Sequence, residues 1–114
     1  MRTGLDDVNP SMAVAVNGSV GHVAPLIEVE TDQQAIDIAN DTEFGLASYI
    51  YTRDIGRVWR VSEALEYGRV GVNEGIISNE MAPFGGVKQS GIGREGGHEG
   101  MLDYIEPKYV ATNW

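Results

Sequence analysis

The stretch LASYIYTRDIGRVWRVSEALEYGRVGV, from Leu46 to Val72, carries the reading of the fold. It opens with Leu46 to Tyr51, a run rich in aromatic and β-branched residues that suits a strand. Asp54 follows as a helix N-cap. Ile55, Val58, Ser62 and Leu65 then recur at i, i+3, i+7 and i+10, and Trp59 and Val61 widen the stripe, which predicts a helix with one apolar face. Gly68 supplies the stop, and Val70 and Val72 mark a further strand. Strand, helix and strand in that order predict a βαβ unit, whose usual outcome is a parallel sheet with a right-handed crossover.

Upstream, Leu26-Ile27-Glu28-Val29 is a short apolar run between Pro25 and Thr31-Asp32, which predicts a strand leading to a helix N-cap. Gln33 to Asn40 holds about two helical turns around Ala35, Ile36, Ile38 and Ala39, broken by Asp41-Thr42 and Gly45. Before Gly21 no period is sustained, and a short strand is expected only over Ala13 to Val16. Downstream of Asn73 comes a long glycine-rich loop, then a helix from about Arg94 to Tyr104 and a last strand around Lys108 to Thr112. The expected fold is α/β, a partial open sheet of βαβ units that ends in an edge strand. Its expected divisions are a diverged segment 1–22, a main body 23–106 and a closing strand 107–114, with no repeat or linker separating two domains.

Composition narrows the function classes. The chain has 114 residues, 42% apolar and 22% charged, which is the balance of a folded globular chain with one modest core. A formal net charge of −9 repels phosphate backbones and argues against nucleic-acid partners. No apolar run approaches the ~20 residues of a membrane span and no signal peptide is evident, so the expected location is the cytoplasm without membrane contact. Cysteine is absent, which excludes disulfides, zinc-thiolate sites and thiol nucleophiles within this chain.

Several local patterns resemble chemical motifs, and each has a plainer alternative. Gly91-Ile92-Gly93-Arg94-Glu95-Gly96 has the G-x-G-x-x-G spacing of dinucleotide-binding turns, but that fingerprint needs an apolar strand directly before it, where Lys88-Gln89-Ser90 stands. Glycines that let a loop turn tightly are the plainer account. His98-Glu99 begins like a zinc-protease helix, yet Leu102 occupies the place of the second histidine, and His22 has no partner nearby in sequence, so no metal site is expected. Asn17-Gly18-Ser19 reads as a turn. Glu28, Glu30, Asp32 and Asp41 are spread over solvent-facing positions and element ends and read as a solvated acidic face. Ser62, Ser78 and Ser90 lie in no nucleophile elbow, and no histidine base is marked out for them. No catalytic residue is expected from the residues themselves.

The stretch ALEYGRVGVN (Ala64 to Asn73), then EGIIS (Glu74 to Ser78) and APFGGVKQSGIGRE (Ala82 to Glu95), resembles the C-terminal signature of aldehyde dehydrogenases, most closely the succinate-semialdehyde type. Ala39 to Leu46, Asp103-Tyr104 and Lys108-Tyr109-Val110 are similar to the same family, and the resemblance runs from about Met12 onward, residues 1–11 showing no clear match.

The resemblance implies the C-terminal part of a catalytic domain, with a last strand that joins an oligomerisation sheet and partners that are further copies of the chain or a full-length paralogue. In the whole enzyme a cysteine thiolate attacks the aldehyde, an amide donor holds the oxyanion, hydride passes to NAD or NADP, and a glutamate helps water release the acid. The family places the cysteine, the glutamate and the dinucleotide-binding domain upstream, so no cofactor is expected for this chain. Ser78 matches the serine that in succinate-semialdehyde dehydrogenases helps bind the substrate's distal carboxylate, a contact one hydroxyl hydrogen bond can supply; the plainer account, favoured for a fragment, is an ordinary loop serine. The family pattern Glu-x-Phe-Gly-Pro around Gly21 is replaced by Gly18, Val20 and His22 at its Glu, Phe and Pro positions, which removes two expected contacts to the nicotinamide half of the cofactor. The expected function is a fragment of a succinate-semialdehyde-type dehydrogenase without activity of its own, and the alternative is an oligomerisation or interaction module.

Overall fold

Thr3–Leu5 (β1) and Val23–Pro25 (β2) pair in parallel, Thr3 opposite Val23 and Leu5 opposite Pro25, in the computed structural model, which describes residues 3–13 and 23–113. The chain divides into two compact units, Met1–Ala39 and Asn40–Trp114. In the first, Leu26 N donates to Leu5 O at 2.7 Å and Val8 N to Leu26 O at 3.2 Å, which carries the pairing past the strands. The strand expected over Leu26 to Val29 is not formed; the pairing lies earlier, at β2. A strand exists only opposite a partner, and β1 with its continuation ends at Val8, beyond which the chain turns as Met12 N donates to Asn9 O, so the apolar run after Leu26 has no edge to join. Apart from Ala13, the strand expected at Ala13 to Val16 lies outside the described residues.

Helix α1 (Asp32–Asn40) forms where the apolar spacing predicts it. Thr31 Oγ1 accepts from Gln34 N at 3.1 Å, and Gln34 Oε1 accepts from Glu30 N at 2.9 Å. The first bond occupies an amide that a helix start otherwise leaves without an acceptor, and the second ties the approaching chain to the first turn. Ile36 on α1 and Val8 are the buried apolar side chains among the described residues.

The second unit is built on β4 (Ala47–Ile50), α2 (Ile55–Ala64) and β5 (Arg69–Val72), the predicted βαβ unit. β4 and β5 run parallel, Ala47 opposite Arg69 and Ile50 opposite Val72. Asn73, at φ 54°, extends the pairing: its side chain accepts from Thr52 N at 2.9 Å and donates to Thr52 O at 2.8 Å. Asparagine is among the residues that adopt this left-handed conformation most readily. β3 (Phe44–Gly45) pairs antiparallel with β6 (Val87–Lys88); neither strand is expected from the sequence, β3 lying at the break before Leu46 and β6 in the glycine-rich loop.

Asp54 caps α2 by accepting from Arg57 N at 3.1 Å. That backbone hydrogen bond holds its carboxyl below the ordinary value; slight desolvation opposes it, while the Gly56 amide and the charges of Arg60 and Arg57 add to it. A depressed folded-state pKa means that the ionised cap's contribution is present above the usual carboxylate range and is lost as pH falls through the lowered value. The helix ends at Leu65, not through a left-handed glycine at Gly68. Asn40 closes it: its amide donates to Ala64 O at 2.8 Å and accepts from Glu66 N at 2.9 Å.

The helix expected from Arg94 to Tyr104 shrinks to α3 (Glu99–Leu102). Glu95 is drawn into a bridge with Phe84, and Gly96 and Gly97 adopt φ of 66° and 58°, which a right-handed helix cannot contain. Residues 105–113 form no strand in this single chain, because no described strand lies beside them. Among the described residues of the second unit, the buried ones are Gly45, Gly71, Gly85, Gly86 and Gly100. This unit is therefore packed by close approach of backbones, and large apolar side chains such as Ile55, Trp59, Tyr104 and Tyr109 stand 65% exposed or more.

Candidate functional site

The loop that leaves β5 carries Ser78, which is exposed. Its path is set locally: Glu74 Oε1 accepts from Gly75 N and Ile76 N at 2.9 and 3.2 Å, and Asn79 Oδ1 accepts from Met81 N at 2.8 Å. Gly97 N donates to Glu80 O at 3.0 Å and ties the loop to the segment before α3. Phe84 and Glu95 exchange two backbone hydrogen bonds, both 2.6 Å. Arg94 then spans the turn, its Nη1 donating to Gly86 O at 2.8 Å and to Gly93 O at 2.9 Å.

Two cations missed by motif reading organise this region. Lys88, at φ 53°, donates from Nζ to Asn40 O at 2.8 Å and Thr42 O at 3.1 Å and pairs with Glu66 at 2.6 Å. Arg69 is half-buried, with its guanidinium carbon 3.7 Å from the centroid of the Phe84 ring and Nη1 donating to Ile77 O at 3.4 Å. Its Nε is enclosed without an acceptor. No spacing rule marks either residue, since both act on carbonyls and a ring that are distant in sequence or in a loop.

The three candidate serines do not converge on one site. Ser90 Oγ accepts from Gly45 N at 2.8 Å and fastens β3. Ser62 Oγ, on α2, is enclosed without a hydrogen-bond partner. Only Ser78 faces solvent on the loop that the resemblance singles out. Glu28, Glu30 and Asp41 are exposed, Asp32 opens α1 and Asp41 follows its last residue, so these carboxylates lie on exposed connecting segments and at the ends of one helix. His98 stands before α3 without a side-chain capping bond, and no group of three His, Cys, Asp or Glu residues suited to a metal occurs among the described residues. Asn17, Gly18, Val20 and His22 lie outside the described residues.

The Gly91 to Gly96 segment does not fit a dinucleotide. The strand before it, β6, is two residues long and stops at Lys88, with a turn at Gln89 and Ser90 in between, and the four-residue α3 begins three residues beyond Gly96. Asp103 Oδ2 accepts from Arg94 N at 3.0 Å and stands 2.7 Å from where a Cβ on Gly93 would lie. A carboxylate thus occupies the place at which a pyrophosphate needs amide donors, and its charge repels one.

The Aldehyde dehydrogenase family profile matches residues 3–110, so the family likeness begins well before Met12 and includes most of the residues read above as unmatched. The succinate semialdehyde dehydrogenase of Acinetobacter baylyi is 59% identical over 106 residues, 93% of this chain and 22% of that protein. The NADP(+) succinate-semialdehyde dehydrogenase of Escherichia coli is 56% identical over 106 residues, again 93% of this chain and 22% of that protein. The crystal structure of succinate-semialdehyde dehydrogenase from Burkholderia pseudomallei superposes with a TM-score of 0.82 at 62% identity, over 86% of this chain and 20% of that one. The chain spans about a fifth of the length of the relatives it matches. A βαβ unit with a short antiparallel pair, a loop carrying Ser78 and a profile match over almost every residue place this chain in the aldehyde dehydrogenase family.

Proposed function

We propose that this chain is the C-terminal section of the catalytic domain of a cytoplasmic, succinate-semialdehyde-type dehydrogenase, divided as 1–22, 23–106 and 107–114, and that it does not oxidise aldehydes by itself. The parent reaction converts an aldehyde to its acid with NAD or NADP, and Ser78 donates a hydrogen bond to the substrate's distal carboxylate. The observation that carries the reading is the absence of cysteine beside a specific family match: a thiohemiacetal has no sulfur to form on. The packing supports it, because a unit whose buried residues are glycines leaves its apolar side chains for further polypeptide to cover.

Two measurements test this. The purified chain with succinic semialdehyde and either dinucleotide is expected to show no reduced dinucleotide above a blank lacking protein; turnover refutes the proposal. For Ser78, residues 23–113 replace the matching section of the Escherichia coli relative in a hybrid enzyme. There Ser78→Ala is expected to raise KM for succinic semialdehyde by roughly ten-fold, the scale of one hydrogen bond to a charged group, and to leave KM for an uncharged aldehyde in place. Equal effects on both aldehydes remove Ser78 from the carboxylate site.

A second reading, an interaction module that docks on its own copies or on a full-length paralogue, draws on the unpaired segment 105–113, where Tyr109 is 90% and Val110 69% exposed. Light scattering after size exclusion decides it. A strictly monomeric mass, alone and mixed with a full-length relative, discards that reading.

A further inference from the structure

Arg69 stands at the start of β5, and its guanidinium reaches both ends of one short stretch. Nη1 donates to Ile77 O at 3.4 Å, just before Ser78, and the guanidinium carbon lies 3.7 Å from the centroid of Phe84, just after Pro83. The loop between is not held by burial: Ser78, Asn79, Glu80, Met81, Ala82 and Pro83 are all exposed, Met81 to 80%. Its other ties are the Asn79 turn and the single bond from Gly97 N to Glu80 O.

We infer that Arg69 is a positioning residue that closes the Ser78–Pro83 loop at both ends and so fixes where the Ser78 hydroxyl sits. A planar guanidinium offers its face to a ring and its edge to a carbonyl at the same time, which a lysine ammonium cannot do. An arginine serving only as surface charge keeps its Nε in water. Here Nε is enclosed without an acceptor, an arrangement that costs desolvation and that the contacts at Phe84 and Ile77 offset. Without the clamp the loop regains conformational freedom at both ends, and Ser78 with it. The consequence for substrate rests on the proposed role of Ser78; the clamp itself does not.

Amide hydrogen exchange on the full 114-residue chain tests it, comparing the parent with Arg69→Lys, Arg69→Met and Phe84→Leu. The Met81, Ala82 and Gly97 amides report on the loop, and the Leu65 and Asn73 amides serve as controls. Arg69→Met is expected to speed exchange at the loop amides by about ten-fold and to leave the controls unchanged. Phe84→Leu, which keeps the backbone bridge to Glu95, is expected to do the same, the double variant to add nothing, and Arg69→Lys to fall between. Loop protection unchanged in Arg69→Met, or loop and control amides accelerated by one common factor, overturns the inference. Should Arg69→Met not fold, the Lys and Leu variants carry the same comparison. No aldehyde enters this measurement, so a responding loop with an unaltered hybrid Ser78→Ala KM rejects only the carboxylate role, and the reverse rejects only the clamp.

Discussion

Gly68→Ala is expected to destabilise the second unit by at least about 3 kcal/mol, a large fraction of the stability of an ordinary small domain. A Cβ there would lie 1.8 Å from Gly85 O, 2.8 Å from Gly85 C and 3.1 Å from Gly86 Cα. All three are backbone atoms, and neither side has slack. Gly68 N donates to Gly45 O at 3.0 Å, Gly86 O is held by Arg94, and Phe84 is bridged to Glu95. Overpacking at a site with a flexible neighbour is relieved by a rotamer change; here a whole segment has to move. A urea titration measures the loss, and an unchanged midpoint for Gly68→Ala would show that the two segments do not approach as closely as described.

Gly45→Ala is expected to cost a comparable amount, about 3 kcal/mol, and its origin is separable by a second substitution. The added Cβ meets Glu66 O at 2.5 Å and Val87 Cγ2 at 2.7 Å. Val87→Ala removes the side-chain obstacle and leaves the carbonyl. Glu66 is fixed because its amide donates to Asn40 and its carboxylate pairs with Lys88. The double variant Gly45→Ala, Val87→Ala is therefore expected to regain little over Gly45→Ala. A double variant that recovers most of the lost stability, measured against Val87→Ala alone, assigns the clash to the side chain and rejects this account.

Both predictions concern glycines that hydrophobic periodicity passes over, and they show where sequence reading succeeds and where it fails. The βαβ unit was legible because the period of Ile55, Val58, Ser62 and Leu65 and the cap at Asp54 are local signals, and local hydrogen bonds answer them. Helix α1 was legible for the same reason, with Thr31 at its start. The strand expected at Leu26 to Val29 and the helix expected from Arg94 failed because each depended on something distant or competing: the end of β1 and its continuation at Val8 in one case, the Phe84 bridge and the left-handed Gly96 and Gly97 in the other. For the candidate site, Ser78 came from a family signature and no local rule would have raised it. Arg69 and Lys88 were missed because their partners, the Phe84 ring and the Asn40 and Thr42 carbonyls, are brought to them only by the fold.

By itself the amino-acid order determined the family, the βαβ succession and the absence of a thiol, because these depend on residue identity and on spacing within one or two turns of chain. Tertiary structure alone decided that β3 pairs with β6, that the second unit packs through its glycines, and that one guanidinium spans both ends of the Ser78 loop. Those outcomes are contacts between atoms far apart along the chain or across a loop. Their energies exist only once the backbone has brought the partners within a few ångströms, a distance no local pattern encodes.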